Sequence, residues 1–468
     1  LAALLVLGLP VPLSAQAVDR LSHDARRRWA VPGLAVTVVK LGRPAYVGAF
    51  GERAPGLPVT PDTLFPLASL TKGFTAALIA RLADEGKLGW DDPVRNHLPD
   101  FRLPDPAADR LVTVRDLLTH RTGVGGHDLL WYRAPWPLAD TLRRAARLPA
   151  EGRFRDGYLY NSTNFIHAGL AAAAAGGRPW DQLVRSHLTG RLGITDVAFT
   201  SAEADRFPDR AVPHDRDGRP TDTHRFPEPN PAGSVQATAR GLALWLTFQL
   251  AGDPAVLSAR NWLELKRPHT PMPLDDPDIG SVYPDAVQVS YALGWVVFDR
   301  RGSPVLAHGG QIDGFRAVLL LLPRQQVGVA VLCNKDRTLM PVALAYGIAD
   351  LALGGPAADW DAHFQKVQAD RDARPPLRAG AVPARPLAEY AGTFTDLAYG
   401  DAVVSAADGN LTFAWSSFRP VLLPAGGDCF RMGGGPLDGR EVEFVVSGGR
   451  VTAVRALDRT FTRGPKPD

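Results

Sequence analysis

A serine and a lysine stand three residues apart in the stretch Leu67-Ala68-Ser69-Leu70-Thr71-Lys72-Gly73-Phe74. Apolar Phe74, Leu78 and Leu82 recur at i, i+4 and i+8, so the spacing predicts an amphipathic helix after the loop Pro61-Asp62-Thr63-Leu64-Phe65-Pro66. Residues at i and i+3 share one face of such a helix, which places the Lys72 amine within reach of the Ser69 hydroxyl. First-turn N–H groups have no intrahelical partners and point towards whatever Ser69 attacks. That combination can both activate a serine and stabilise an oxyanion. Ser-x-x-Lys alone is more often a capped helix with a solvated lysine. Two features favour the chemical reading: no other lysine in the chain has a serine three positions before it, and Leu67, Ala68, Leu70 and Phe74 form an apolar setting that favours the uncharged amine a base needs.

Two further stretches hold chemistry-bearing side chains. Tyr158-Leu159-Tyr160-Asn161-Ser162-Thr163-Asn164-Phe165 combines phenols, amides and hydroxyls, and Leu306-Ala307-His308-Gly309-Gly310-Gln311-Ile312-Asp313-Gly314-Phe315 sets a histidine at the end of a β-rich run. In isolation Tyr160 reads as a core tyrosine and His308 as a satisfied histidine. Gly309-Gly310 is better explained by function, since a strand edge without side chains lets a substrate backbone lie alongside it. His120, His127 and Asp128 are the nearest approach to a metal cluster, but their spacing matches no ligand pattern, and neither a metal nor a cofactor is expected. Asp217-Gly218 reads as a turn, because a calcium loop needs more oxygen ligands at fixed spacing.

The elements that must position these residues follow from periodicity. Gly33 to Lys40 is β-rich and turns through Gly42-Arg43 into Ala45 to Phe50, a hairpin ahead of the serine helix. Helical patterns dominate from Asp91 to about Leu257, with Thr113-x-x-Asp116 as a capping box. Strand character returns at Tyr291–Phe298, Val305–His308, Ala317–Leu322 and Val327–Cys333, and a helix is expected over Met340–Leu353. Both ends of this region would complete one sheet, with the helical middle inserted. Arg371 to Pro386, rich in proline, reads as a linker, and the alternation in Leu411–Trp415 and Val442–Val446 reads as a small antiparallel β domain.

A chain of 468 residues, 45% apolar and 22% charged, has room for two or three domains and a large core. Its formal charge of +3 is spread without a basic block, so nucleic acid is not an expected partner. The apolar run Leu1 to Leu9 followed by Ser14-Ala15-Gln16-Ala17 has the form of a signal-peptide core and cleavage site; the alternative is a buried N-terminal helix, which Pro10 and Pro12 oppose. No other stretch has the length and apolarity of a membrane span, so an exported protein, periplasmic or secreted, is expected. Cys333 reads as a buried strand thiol, and a disulfide to Cys429 is left open.

Taken together and in order, Ser69-x-x-Lys72, Tyr160-x-Ser162 and His308-x-Gly310 make the chain resemble the serine β-lactamase and penicillin-binding-protein superfamily, and most closely the class C β-lactamase-related serine hydrolases. The resemblance runs from about Val31 to Leu353, with Val112–Gly123, Pro231–Val235 and Tyr291–Trp295 as further landmarks. It implies an α/β fold of the α+β kind: a β-lactamase-like antiparallel sheet flanked by helices, with an inserted helical subdomain. The small C-terminal all-β domain would be barrel-like. The expected division is 1–17 leader, 18–370 hydrolase domain, 371–386 linker and 387–468 accessory domain.

Residue by residue, the resemblance implies that Ser69 is acylated and that Lys72 is the amine bonded to it. Tyr160 would be the second base and the proton donor to the leaving group, Ser162 would take the place often held by Asn, and Asn161 would face away. His308 would occupy a lysine position, charged only in part near neutrality. The N–H groups of Ser69 and Gln311 would form the oxyanion hole, beside Gly310 on the substrate-binding strand. A histidine in place of a permanent cation turns the expectation from β-lactams towards a small ester or peptide, D-configured peptides included. β-Lactamase or D-Ala-D-Ala carboxypeptidase activity, or a catalytically silent binding protein, are the alternatives. Trp131, Tyr132 and Trp136 would line the mouth of the cleft or belong to the core.

Overall fold

The computed structural model describes residues 13–354, 358–373 and 381–464. Residues 1–12 of the expected leader and 374–380 of the expected linker lie outside the described residues. The chain forms two compact units. The first comprises residues up to Phe101, Asp105–His127 and Ala150–Asp372; the second comprises Arg102–Pro104, Asp128–Pro149 and the chain from Ala373 onward.

The sheet of the first unit is built from both ends of its sequence. Its strands are β1 (Gly33–Lys40), β2 (Arg43–Ala54), β3 (Leu57–Pro58), β4 (Thr270–Pro271), β5 (Val289–Tyr291), β6 (Val296–Arg300), β7 (Ser303–Ile312), β8 (Phe315–Leu322) and β9 (Val327–Cys333). Among the described residues these nine make one sheet in the order β3-β2-β1-β9-β8-β7-β6-β5-β4. The N-terminal hairpin meets the last strand antiparallel, in a register from Leu34↔Cys333 to Lys40↔Val327. β1 and β9 are buried at every position but Lys40, as strands covered on both faces must be, and their apolar runs reflect this. Helix α4 (Ala239–Ala251) packs on β1 and β9, and α5 (Met340–Leu353) packs on β8 and β9. Helix α1 (Ala15–Arg28) starts inside the predicted cleavage segment, capped by Ser14, and packs on α5.

The strand expected over Tyr291–Phe298 is interrupted. The chain turns between β5 and β6, with Ala292 N–H bonded to the Trp295 carbonyl at 2.7 Å. Gly294 sits there at φ +82°, and a Cβ on it would lie 3.0 Å from the Lys72 carbonyl oxygen. Close approach of this turn to the serine helix therefore requires glycine.

The serine helix α2 (Thr71–Asp84) is buried on nearly every side. Phe74 stacks on Trp245 of α4 with ring centroids 3.9 Å apart. Truncating Phe74 to alanine would cost about 3–5 kcal/mol, the usual range for a buried phenylalanine. Helix α3 (Ser162–Gly176) packs against α2, and Asn161 caps it by accepting the Asn164 N–H at 3.2 Å. No helix among the described residues is long and apolar enough to cross a membrane.

The second unit is built round a closed antiparallel barrel of eight strands among the described residues, running from Gly392–Asp396 to Arg459–Arg463; Phe394↔Arg463 and Thr395↔Thr462 close it. The alternation read from Leu411–Trp415 puts Leu411, Phe413 and Trp415 inside. Asp128–Pro149, which the sequence places within the hydrolase domain, packs as part of this compact unit. Tyr132 stacks on Phe418, Trp136 meets Trp415 edge-on, and Arg144 lies 3.7 Å over the Trp136 ring while donating to the Ala398 and Tyr399 carbonyls. Cys333 is a free, buried thiol of the first unit and Cys429 a free, exposed one of the second, so the disulfide left open by the sequence is not formed.

Candidate active site

Ser69 occupies a 3-10 turn, Ala68–Leu70, that feeds directly into α2. Ala68 has φ +48°, a left-handed conformation that costs a side-chain-bearing residue of order 1–3 kcal/mol. The Leu67 N–H bonded to Val235 and the Val235 N–H bonded to the Thr71 hydroxyl hold the turn from both sides. Ser69 is thus presented on a sharp, externally braced bend.

Lys72 is wholly buried, and its Nζ has three oxygen neighbours: Ser69 Oγ at 3.0 Å, Ser162 Oγ at 3.3 Å and the Ala232 carbonyl at 3.1 Å. An ammonium would spend its three N–H groups on these three oxygens. An uncharged amine would keep N–H bonds to Ala232 and Ser162 and turn its lone pair to the Ser69 O–H. Either protonation state is satisfied without rearrangement, as a group that takes and returns a proton requires. Tyr160 donates from its hydroxyl to Ser69 Oγ at 3.0 Å. Its ring lies 5.0 Å from Lys72 Nζ, and Phe165 lies 5.6 Å from it, so the amine is walled by π-faces where it is not bonded to oxygen. Among the described residues no carboxylate bonds Ser69, Lys72 or Tyr160.

The loop that carries Tyr160 is zipped to the segment after the Thr113–Asp116 capping box. Glu151 and Gly152 N–H groups reach the Gly123 carbonyl, and Arg155 N–H reaches Arg121. Asn161 donates to the Val124 carbonyl at 3.1 Å and Asn164 to the Thr122 hydroxyl at 3.1 Å. Buried Asp116 anchors both sides, taking Arg121 at 2.6 Å and Arg155 at 2.7 and 2.9 Å, and these partners hold its carboxyl below the usual range against the opposing effect of burial. Asn161 thus serves the backbone, as expected, while Ser162 faces Lys72.

β7 supplies the opposite wall. It pairs with β6 only as far as Ala307, which leaves His308 to Ile312 unpaired on that side among the described residues. Gly310 is buried against the nucleophile turn: a Cβ there would sit 2.2 Å from the Leu67 carbonyl oxygen, whereas one on Gly309 would meet nothing within 4 Å. Gln311 is exposed on the same unpaired stretch, opposite Arg316 of β8.

His308 corrects the sequence reading. It is buried, and burial, followed by the Lys72 charge, pushes its pKa down to about 3, so the imidazole is uncharged near neutrality. Nδ1 lies 2.7 Å from the Gly309 carbonyl and Nε2 3.0 Å from the Tyr291 hydroxyl. A carbonyl can only accept, so Nδ1 carries the hydrogen and Nε2 accepts from Tyr291. The position that the resemblance gives to a cation is held by a neutral ring in one tautomer.

Tyr291, read as a strand residue within a family landmark but given no role, is therefore part of the site. So is the Ala232 carbonyl, which side-chain reasoning cannot find. His120 packs among Tyr158, Tyr160 and Tyr291, and His127 Nε2 lies 2.6 Å from Glu151. Asp215–Arg219 is the expected turn, closed by the Asp215 N–H bond to the Arg219 carbonyl and by Asp217 and Arg219 N–H bonds to the Asp215 carboxylate. Beside Tyr158 the first unit has a cleft of about 420 Å³, lined by Gly152–Arg153, Asp156–Leu159 and Pro271–Pro273.

The family described as Beta-lactamase matches residues 21–353. Unguisins hydrolase ungD of Aspergillus violaceofuscus is 28% identical over 84% of this chain and 77% of its own length. Esterase EstB of Burkholderia gladioli is 34% identical over 43% of this chain and 55% of its own. In structure, the octameric penicillin-binding protein homologue from Pyrococcus abyssi superposes with a TM-score of 0.64 at 19% identity, covering 95% of this chain and 98% of that one. D-amino acid amidase from Ochrobactrum anthropi SV3 gives 0.60 at 22% identity, over 72% of this chain and 96% of its own.

Proposed function

We propose that this chain, which belongs to the beta-lactamase family, is a serine hydrolase that works through an acyl-enzyme on a small ester or peptide substrate, D-configured peptides included. The observation that carries the reading is Ser69 Oγ, held at 3.0 Å by both Lys72 Nζ and Tyr160 Oη. As Oγ attacks a carbonyl carbon, its proton passes to one of these two groups. The N–H groups of Ser69 and Gln311 take the oxyanion that develops. Tyr160 returns a proton to the leaving alcohol or amine, and the Ser69 ester remains. With no carboxylate among the described residues bonded to these three, water activation for deacylation falls to Tyr160 assisted by Lys72. Attack by that water on the ester carbonyl releases the acid and restores Ser69.

Substrate preference follows from His308. A neutral imidazole whose Nδ1–H is spent on Gly309 offers no cation to a substrate carboxylate, which favours simple esters and amides over carboxylate-bearing β-lactams. The relatives named as an esterase and as an unguisins hydrolase support the same reading. Export belongs to the proposal on the strength of the apolar run Leu1 to Leu9 and the small residues Ala15 and Ala17.

One parallel assay decides the reaction class: p-nitrophenyl butyrate, a D-alanyl peptide and nitrocefin, each with the wild type and Ser69→Ala. Ester or peptide turnover that Ser69→Ala abolishes is expected. Nitrocefin as the best of the three substrates would overturn the preference, and turnover retained by Ser69→Ala would overturn the mechanism.

A further inference from the structure

His120 lies in the landmark Thr119-His120-Arg121-Thr122-Gly123 yet touches neither Ser69 nor Lys72. Its backbone has φ +56°, a left-handed conformation in which histidine is tolerated more readily than most residues. Its side chain is wholly buried. Its carbonyl accepts the Leu159 N–H at 2.9 Å, and its Nδ1 accepts the Asn161 N–H at 3.1 Å. One residue thus holds the peptide N–H on each side of Tyr160.

The ring adds a second set of contacts. Its centroid is 4.5 Å from that of Tyr160, 4.5 Å from that of Tyr291 and 5.3 Å from that of Phe165. Tyr291 is the residue that bonds His308 Nε2. Nδ1 can accept from Asn161 only if it carries no hydrogen, so the neutral ring bears its hydrogen on Nε2, and that atom is buried without a hydrogen-bond partner. An orphaned buried N–H costs about 1–3 kcal/mol, and an apolar residue of similar size would avoid it. The ring is also kept uncharged: burial, then the Lys72 charge, drives its pKa well below the ordinary value. A cation here would compete with Lys72 and would lose the acceptor that Asn161 needs.

We propose that His120 is the positioning residue of the reaction: it clamps both flanks of Tyr160, packs against that ring, and so fixes the phenol oxygen on Ser69 Oγ. The inference rests on the acyl-enzyme reading and on Tyr160 as its proton carrier. Glycine and asparagine both accept the left-handed backbone, so two variants separate the ring from the strain. His120→Gly removes ring and acceptor; His120→Asn restores an acceptor for the Asn161 N–H. His167 is the control, a wholly buried histidine whose two nitrogens have no hydrogen-bond partners and which packs on Phe101.

The test measures kcat and KM on p-nitrophenyl butyrate, per active site titrated with a fluorophosphonate, beside Tm. Misplacement of one reacting group by about 1 Å costs about 10²-fold. His120→Gly should therefore lower kcat by about 10²-fold at nearly constant KM, and His120→Asn should recover about tenfold of that loss. His167→Leu should change Tm without lowering kcat per titrated site. A His120→Gly enzyme within about twofold of wild type in kcat per site, an equal loss in His167→Leu, or no recovery in His120→Asn would each overturn the inference. Tyr160→Phe distinguishes the levels. If it is inactive while His120→Gly is not, the positioning role alone falls; if it keeps full kcat, the role assigned to Tyr160 falls and takes the inference with it.

Discussion

Lys72 and His308 are both buried basic side chains of the site, and the fold treats them in opposite ways. Lys72 is surrounded by three oxygens, and whichever charge it bears finds its full complement of partners. His308 has one carbonyl and one phenol, which suit a single tautomer and leave a proton nowhere to go. Burial alone therefore does not decide whether a base is chemically available. The number and kind of acceptors around it do.

The largest expected effect tests that contrast directly. Lys72→Ala should lower the acylation rate by about 10³-fold or more, because it removes a proton acceptor from Ser69. His308→Asn should cost only about tenfold, since the ring bonds Tyr291 and Gly309 rather than the nucleophile. Stopped-flow acylation with a chromogenic ester compares the two, and equal losses would erase the distinction.

A second pair sharpens the His308 end. Gly310→Ala forces a methyl group onto the Leu67 carbonyl that leads into the serine turn and should remove most activity, while Gly309→Ala places its methyl in open space and should leave Tm unchanged. A fully active Gly310→Ala enzyme would mean that the strand and the serine turn separate more easily than the geometry implies.

The smallest effect is on stability. His308 and His167 each have a folded pKa of about 3 against 6.5 for the free side chain. Below pH 6.5 the unfolded chain binds protons that the folded chain refuses, so stability is complete above that pH and falls as pH drops towards 3. Each histidine should cost about 2 kcal/mol between pH 7 and 5. Urea midpoints at the two pH values measure the loss, and His167→Leu should reduce it.

Much of this architecture is legible in residue order, because the signals are local. The i, i+3 spacing of Ser69 and Lys72, the period of Phe74, Leu78 and Leu82, and the unbroken apolar runs of β1 and β9 each report one element's own environment. What is not legible depends on distant partners. The state of His308 is set by Tyr291, a residue from a strand that sequence joins to its neighbour and the Gly294 turn separates from it. The assignment of Asp128–Pro149 is set by Trp415 and Phe418, far along the chain. The clamp on Tyr160 uses a backbone angle at His120 that no side-chain pattern announces.

The pairing of β1 with β9 carries a consequence in time. Leu34 and Cys333 are partners across about three hundred residues of chain. A ribosome finishes the serine helix long before it makes the strand that bears His308, and a sheet closed by such distant segments must bear a large loop entropy before any contact rewards it. Ser69 thus waits for the last strands of its own domain, and the nascent chain carries the serine turn without the strand edge of β7 beside it until the sheet is complete.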